Sequence, residues 1–285
     1  MPVKPLCERH LAPLVQYLGH HPDTSMFLRS NLHRDGLGGP SGAHHATYVG
    51  AFDGDQIVGV IAHYWTGVLI PQAPVELIDA LARLVVAMSG RPVTGVVGPA
   101  QQVAPVRKAL GLSDAYARMD SAEYVYSNTL AGLEPPPLAQ GEVLELRAVS
   151  EVEDEPVLSW YRAYEIETLG AREGSDLESA VRARLRRNRK DGLAWIAHHE
   201  GEPVCVVGFN ARLPDVVQVG GAYTPPEHRG SGYAAAASVK LLCQVRDEGV
   251  ERASLFIQRD NLAAQRTYES VGFQRVGEVQ LVLFT

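Results

Sequence analysis

The sequence predicts a layered α/β (α+β) fold built from two related halves, and three observations carry that prediction. Strand–turn–strand runs alternate with helical stretches, a mixture that fits packed sheet and helix layers better than a bundle or a barrel. Two pairs of segments recur in the same order along the chain. A proline run separates the copies.

Tyr48–Trp65, YVGAFDGDQIVGVIAHYW, is an apolar strand, an Asp-Gly turn and a second strand. Trp195–Ala211, WIAHHEGEPVCVVGFNA, follows the same plan, with Gly54 and Gly201 at equivalent turn positions. Further on, VVGPAQQVAPVRKALGL from Val96 mirrors LFIQRDNLAAQRTYESVGF from Leu255. Each reads as strand, polar break, helix, and an apolar-Gly-apolar close at Gly111 or Gly272. One such match could be chance, but two in register predict a tandem duplication.

The 285 residues are enough for one large domain or two medium ones, since domains usually run to about 100–200 residues. The stretch 131–141, AGLEPPPLAQG, excludes helix and central strand and fits a semi-rigid connection. The predicted division is therefore a first domain at 1–130, the linker at 131–141 and a second domain at 142–285.

Within the second half, strands are predicted at 143–149, 194–198, 203–211, 216–223 and 253–257. Helices are predicted at 151–169, 177–189, 231–248 and 261–270, and two paired strands, 273–276 and 279–284, are expected to close the chain. The 177–189 helix carries a basic face (Arg182, Arg184, Arg186, Arg187, Arg189 and Lys190), which reads as solvated.

Composition narrows the classes. The chain is 46% hydrophobic and 21% charged, which excludes wholesale disorder. Its net charge of -7 argues against a nucleic-acid partner, which needs clustered Lys and Arg. Three distant cysteines, Cys7, Cys205 and Cys243, form neither a disulfide framework nor a metal pair. The histidine pairs His20-His21, His44-His45 and His198-His199 are adjacent in sequence and lack metal-ligand spacing, so no metal is expected. The N-terminal MPVKPLCERHLAPL lacks the apolar core of a secretory signal. No run approaches the roughly 20 apolar residues of a spanning helix, so the expectation is a cytoplasmic protein with no membrane partner.

The most informative stretch is YTPPEHRGSGYAAAASVKLL from Tyr223. Its prolines and glycines break regular structure just before a small-residue helix. The first N–H groups of a helix lack intrahelical partners and, with the helix dipole, attract anions. Gly230 and Gly232 permit close backbone approach, and Arg229 can add a charge-assisted contact. A plain strand-to-helix connection explains the same residues, and neither GxGxxG nor GxxxxGK[ST] is present. Downstream, Asn261, Ala264 and Tyr268 share one helical face.

Taken together, Arg229-x-x-Gly232-x-Ala234 after a strand, then Asn261-x-x-Ala264-x-x-x-Tyr268-Glu269 and Gly272-Phe273, resemble the GNAT superfamily of acyl-CoA N-acyltransferases. The resemblance covers about 143–285, and the loop looks most like the tandem and glycine N-acyltransferase-like branches. It implies two tandem GNAT-like domains, each a mixed, mostly antiparallel sheet flanked by helices. It also implies acetyl-CoA as cosubstrate and transfer of its acetyl group to a primary amine by direct attack. The acceptor is then a small-molecule, peptide or protein amine, and the chain a monomer or homodimer.

By the same resemblance, Ala222, Tyr223 and Thr224 hold the pantetheine arm through their backbone. Arg229, Gly230, Ser231, Gly232, Tyr233 and Ala234 wrap the pyrophosphate. Asn261 touches the cofactor arm, and Tyr268 is the general acid beside the thioester sulfur. Glu165 and Glu167, at the end of the domain's first helix, are the candidate bases; Glu227 reads better as a solvated turn residue.

In the first half, PQAPVELIDALARLVVAM follows the corresponding strand with no such loop, and the later helix has no matching Tyr. That half therefore reads as a degenerate copy. An alternative reading of the whole is a non-catalytic acyl-CoA-binding regulatory module.

Overall fold

The computed structural model describes residues 1–37, 45–134 and 144–284. His44 and residues 135–141 of the predicted linker lie outside the described residues, as does Val143 at the start of a predicted strand. The chain divides into two compact units. The first is Met1–Tyr126 with Phe256–Asp260 and Arg275–Thr285; the second is Ser127–Leu255 with Asn261–Gln274.

The first unit begins with β1 (Val3–Pro5), α1 (Leu11–Gly19) and α2 (Met26–Asp35). The hairpin β2 (Ala46–Asp53) and β3 (Gln56–Tyr64) follows, then β4 (Val68–Gln72), α3 (Ile78–Ser89), β5 (Gly95–Pro99), α4 (Ala100–Ala109) and β6 (Ala117–Thr129). The pairings β1–β2, β2–β3 and β3–β4 are antiparallel, and β4–β5, joined by the α3 crossover, is parallel.

The second unit repeats this plan. It runs β7 (Glu145–Ala148), α5 (Val157–Glu167), α6 (Ser175–Asp191), β8 (Ala194–His199), β9 (Glu202–Arg212), β10 (Val216–Val219), α7 (Tyr233–Asp247), β11 (Arg252–Gln258, its last three residues counted with the first unit) and α8 (Leu262–Ser270). Again three antiparallel pairings lead to one parallel pairing, β10–β11, across the α7 crossover. Gly54 and Gly201 both take positive φ at the hairpin turns, and Gly111 and Gly272 both do so where α4 and α8 end. The duplication read from the sequence is thus present in topology as well as in local turns.

The strand periodicity explains the layering. In β2 and β3, Val49, Ala51 and Ile61 face a core with α3 and α4, while Tyr48, Phe52, Val60 and Ala62 face one with α1 and α2. Alternation along a strand sends successive side chains to opposite faces, so both faces of the sheet are covered. In the second unit, Ile196, Val206 and Tyr223 pack with Val157, Trp160, Tyr161, Val181 and Leu185 of α5 and α6.

The two closing strands predicted at 273–276 and 279–284 are one strand, β12 (Gln274–Phe284). Gly277 does not interrupt it, because a glycine in extended backbone needs no turn. β12 pairs antiparallel with β5 from Val279↔Pro99 to Leu283↔Gly95 and so completes the first unit's sheet. Among the described residues, no helix is long and apolar enough to cross a membrane, and no group of three or more His, Cys, Asp or Glu could hold a metal ion.

Candidate functional site

β10 is shorter than predicted: regular pairing with β11 runs from Val216↔Arg252 to Val219↔Leu255. The chain then continues toward β9 alone. Gly220 N–H donates to Gly208 O at 3.0 Å, and Tyr223 and Val206 exchange two backbone hydrogen bonds at 3.0 Å. Two glycines stand here in different settings. A Cβ at 220 would collide with the Asn210 side chain, and one at 221 with the Arg184 guanidinium. Gly221 also has φ +69°, a left-handed conformation costly for other residues.

After Thr224 a short 3-10 turn, Pro226–His228, leads to Arg229 and the loop into α7. Gly230 (φ +84°) and Gly232 (φ +78°) both need positive φ, while the space around their Cβ positions is open. Backbone angle is therefore what selects glycine there. Gly232 is the N-cap of α7 and brings no side chain to cap it, so the first-turn amides meet no capping oxygen from that position. Ser231 and Gly232 are exposed, and Ala234 is half-buried. Tyr233 turns its phenol to His199 Nδ1 at 3.1 Å.

Arg229 is exposed, and its side chain bridges the loop and the end of α5. Its Nε donates to Thr224 O at 2.9 Å, and its Nη2 donates to Glu167 Oε2 at 2.7 Å and to Tyr223 Oη at 3.4 Å. Tyr223 donates its hydroxyl to Glu167 Oε1 at 2.9 Å. These hydrogen bonds, first from Arg229 and then from Tyr223, hold the Glu167 carboxyl below the usual carboxylate range.

Glu165, two residues earlier on α5, accepts from Arg184 Nη1 at 3.0 Å. Sequence reasoning gave Arg184 a solvated role, and the structure corrects this. Its side chain is 14% exposed and lies over the rings of Tyr161 and Tyr164 at 4.7 and 4.5 Å. Cation–π contact and the carboxylate together offset the cost of burying the guanidinium. Arg189 also turns inward, to Val149 O and Val152 O, whereas Arg182, Arg186, Arg187 and Lys190 are exposed. The signal that could have separated them is helical phase: Leu177, Val181, Leu185 and Asn188 mark the buried stripe of α6, and Arg184 and Arg189 flank it.

On α8, Asn261 is the N-cap, and its side-chain oxygen accepts from Ala264 N–H at 3.0 Å. The amide nitrogen of Asn261 is left as a donor by this cap. Tyr268 is half-buried, packs edge-on to Phe273 with ring centroids 5.4 Å apart, and donates to Ser238 Oγ of α7 at 3.3 Å. Burial pushes its phenol above the usual tyrosine range, so it remains a proton donor at neutral pH. Cys205, buried in β9, is pushed up to about 12 by desolvation and behaves as an inert thiol. Glu227 is exposed in the 3-10 turn.

Residues 155–273, which contain all of these groups, match the Acetyltransferase (GNAT) family. Those residues form a GNAT acetyltransferase domain, which supports an acyltransferase enzyme. A mycothiol acetyltransferase of Kocuria rhizophila is 27% identical over 267 residues, covering 82% of this chain and 83% of its own. A tandem GNAT protein from the clavulanic acid biosynthesis pathway has the same fold, with TM-score 0.58, 15% identity, and 99% and 97% of the two chains covered. A Drosophila protein also shares it, at TM-score 0.66 and 12% identity, with 99% and 98% covered. Acetyl-CoA is the cosubstrate of the GNAT family.

Proposed function

We propose that the second unit transfers the acetyl group of acetyl-CoA to the primary amine of a small-molecule acceptor by direct attack. The observation that carries this reading is one order of parts inside residues 155–273. A strand end with glycine at 220 and 221 is followed by a loop bent by Gly230 and Gly232, and then by a helix whose N-cap has no side chain. Downstream stands a phenol kept protonated by burial.

In this reading the backbone of Ala222, Tyr223 and Thr224 holds the pantetheine arm, and Arg229 through Ala234 cup the pyrophosphate at the positive end of α7. The Asn261 amide nitrogen reaches the arm. The acceptor nitrogen attacks the thioester carbonyl, the C–N bond forms as the C–S bond breaks, and the leaving thiolate takes a proton from Tyr268. Backbone N–H groups after β10 steady the oxyanion. Of the two carboxylates at the end of α5, Glu165 is the better candidate to receive the ammonium proton. It uses only Oε1 on Arg184 among the described residues, whereas both oxygens of Glu167 already accept hydrogen bonds.

The relatives' name makes mycothiol-related amines the first acceptors to test. The experiment is a transfer assay with acetyl-CoA over a panel of amines, read by the mass of the acetylated product, since a thiol-bearing acceptor would confound a free-thiol readout. Tyr268→Phe is expected to lower kcat by roughly 100-fold with the Kd for acetyl-CoA nearly unchanged. Equal turnover by wild type and Tyr268→Phe across pH would remove the phenol from the role of acid.

A further inference from the structure

We propose that Glu167 is a positioning residue for the cofactor loop: its carboxylate clasps Arg229 and the Tyr223 hydroxyl, and so presets the strand exit and the loop for the phosphates. This role rests on the reading of 229–234 as the pyrophosphate site, and it assigns Glu167 a task other than that of base.

The geometry is a closed circuit. Glu167 is the last residue of α5. Its Oε1 accepts from Tyr223 Oη at 2.9 Å, and its Oε2 from Arg229 Nη2 at 2.7 Å. The same Nη2 reaches back to Tyr223 Oη at 3.4 Å, and Nε anchors on Thr224 O at 2.9 Å. The Arg229 guanidinium carbon lies 5.5 Å from the Tyr223 ring centroid. The circuit thus joins the helix that ends beside Glu165, the backbone at Tyr223 and Thr224, and the arginine that opens the glycine loop.

Two physical consequences follow. An arginine normally surrenders much rotamer freedom when it takes a ligand, and a guanidinium already fixed by Nε and Nη2 loses less. Among the described residues Nη1 makes no hydrogen bond, which leaves its two N–H groups for a phosphate oxygen. A general base works best with a proton affinity near the working pH, and a carboxylate holding a cation and a phenol is tuned in the other direction. Tyr223 itself is 7% exposed, so the clasp is anchored in the core that α5 and α6 make with the sheet.

The test compares Glu167→Gln, Glu167→Asp and Tyr223→Phe with wild type, using acetyl-CoA as the probe. Glu167→Gln should raise KM for acetyl-CoA roughly twofold to fivefold, with kcat within about twofold and the pH profile of kcat unshifted. Glu167→Asp, which keeps the charge, should recover part of the loss, and Tyr223→Phe should show a smaller rise in KM. A fall in kcat of roughly 100-fold at unchanged KM in Glu167→Gln would make Glu167 the base and overturn the role. An unchanged KM in Glu167→Gln, with wild type still binding acetyl-CoA in calorimetry, overturns the clasp alone. Wild type that binds no acetyl-CoA overturns the cofactor reading and this role together.

Discussion

The two units leave their fourth strands by the same route and then part company. In the first, β4 runs through Pro74 into a 3-10 turn, Val75–Leu77, and that turn passes straight into α3: Ile78 N–H donates to Val75 O. In the second, β10 leads through Pro225 to a 3-10 turn, Pro226–His228, but Arg229, Gly230, Ser231 and Gly232 come between turn and helix. The exits differ as well. Ala73 N–H is taken by Gln102 Oε1 at 3.0 Å and Gln72 O by the Tyr17 hydroxyl at 2.9 Å. The first unit therefore satisfies its exit backbone with its own side chains, beside a cavity of ≈ 570 Å³ lined by residues such as Tyr17, Thr24, Gln72 and Gln102. The second answers the same problem with glycines. Four additional residues, two of them glycines, separate the second unit's turn and helix, which in the first unit are continuous.

The comparison can be broken most severely by removing β12. It supplies five register positions to β5 and the buried side chains of Val279, Val282 and Phe284. Each such side chain is worth about 1.5–3 kcal/mol, against a total stability of roughly 5–15 kcal/mol for a domain. A chain ending at Phe273 should lose the first unit, with amide exchange in β4 and β5 rising toward unfolded rates. Protected β5 amides in that chain would contradict the strand assignment.

A smaller effect is expected at the second unit's exit. Gly221→Ala combines left-handed strain of about 1–2 kcal/mol with displacement of Arg184 from its place over Tyr161 and Tyr164. The unfolding free energy should fall by at least that amount and acetyl transfer should fall with it, whereas Gly19→Ala, at a position with open space and no positive φ, should lower neither.

The mildest test is acid. Burial lowers the pKa of His10, His21 and His63 in the first unit and of His198 in the second. A histidine held neutral in the folded state binds fewer protons than it does unfolded. Stability is therefore full above the unfolded value of about 6.5 and is lost as pH falls below it. Between pH 6.5 and 5, exchange in the first unit should rise before that in the second; the reverse order would show that other groups govern acid loss.

Much of this was legible in residue order, because the signals were local. Period-two apolar runs gave β2, β3, β8 and β9, and the paired glycines at 54 and 201 marked the repeat. Asn261 and Tyr268 could be placed on one element from their spacing alone. What could not be read was long-range partner choice. Nothing near Glu167 in sequence announces Arg229, nor does anything near Arg184 announce Gly221, since each pair meets only after the sheet is assembled. The fate of β12 was hidden for the same reason: its alternation is that of any half-buried strand and does not say which neighbour it joins.

The central claim is that the second unit's exit and loop, and not their counterparts in the first unit, receive the acetyl donor. Hydrogen exchange of the whole protein with and without acetyl-CoA tests it directly. The account predicts protection across 220–234 and at the start of α8, with 72–78 unchanged. Protection at 72–78, or none across 220–234, would contradict it.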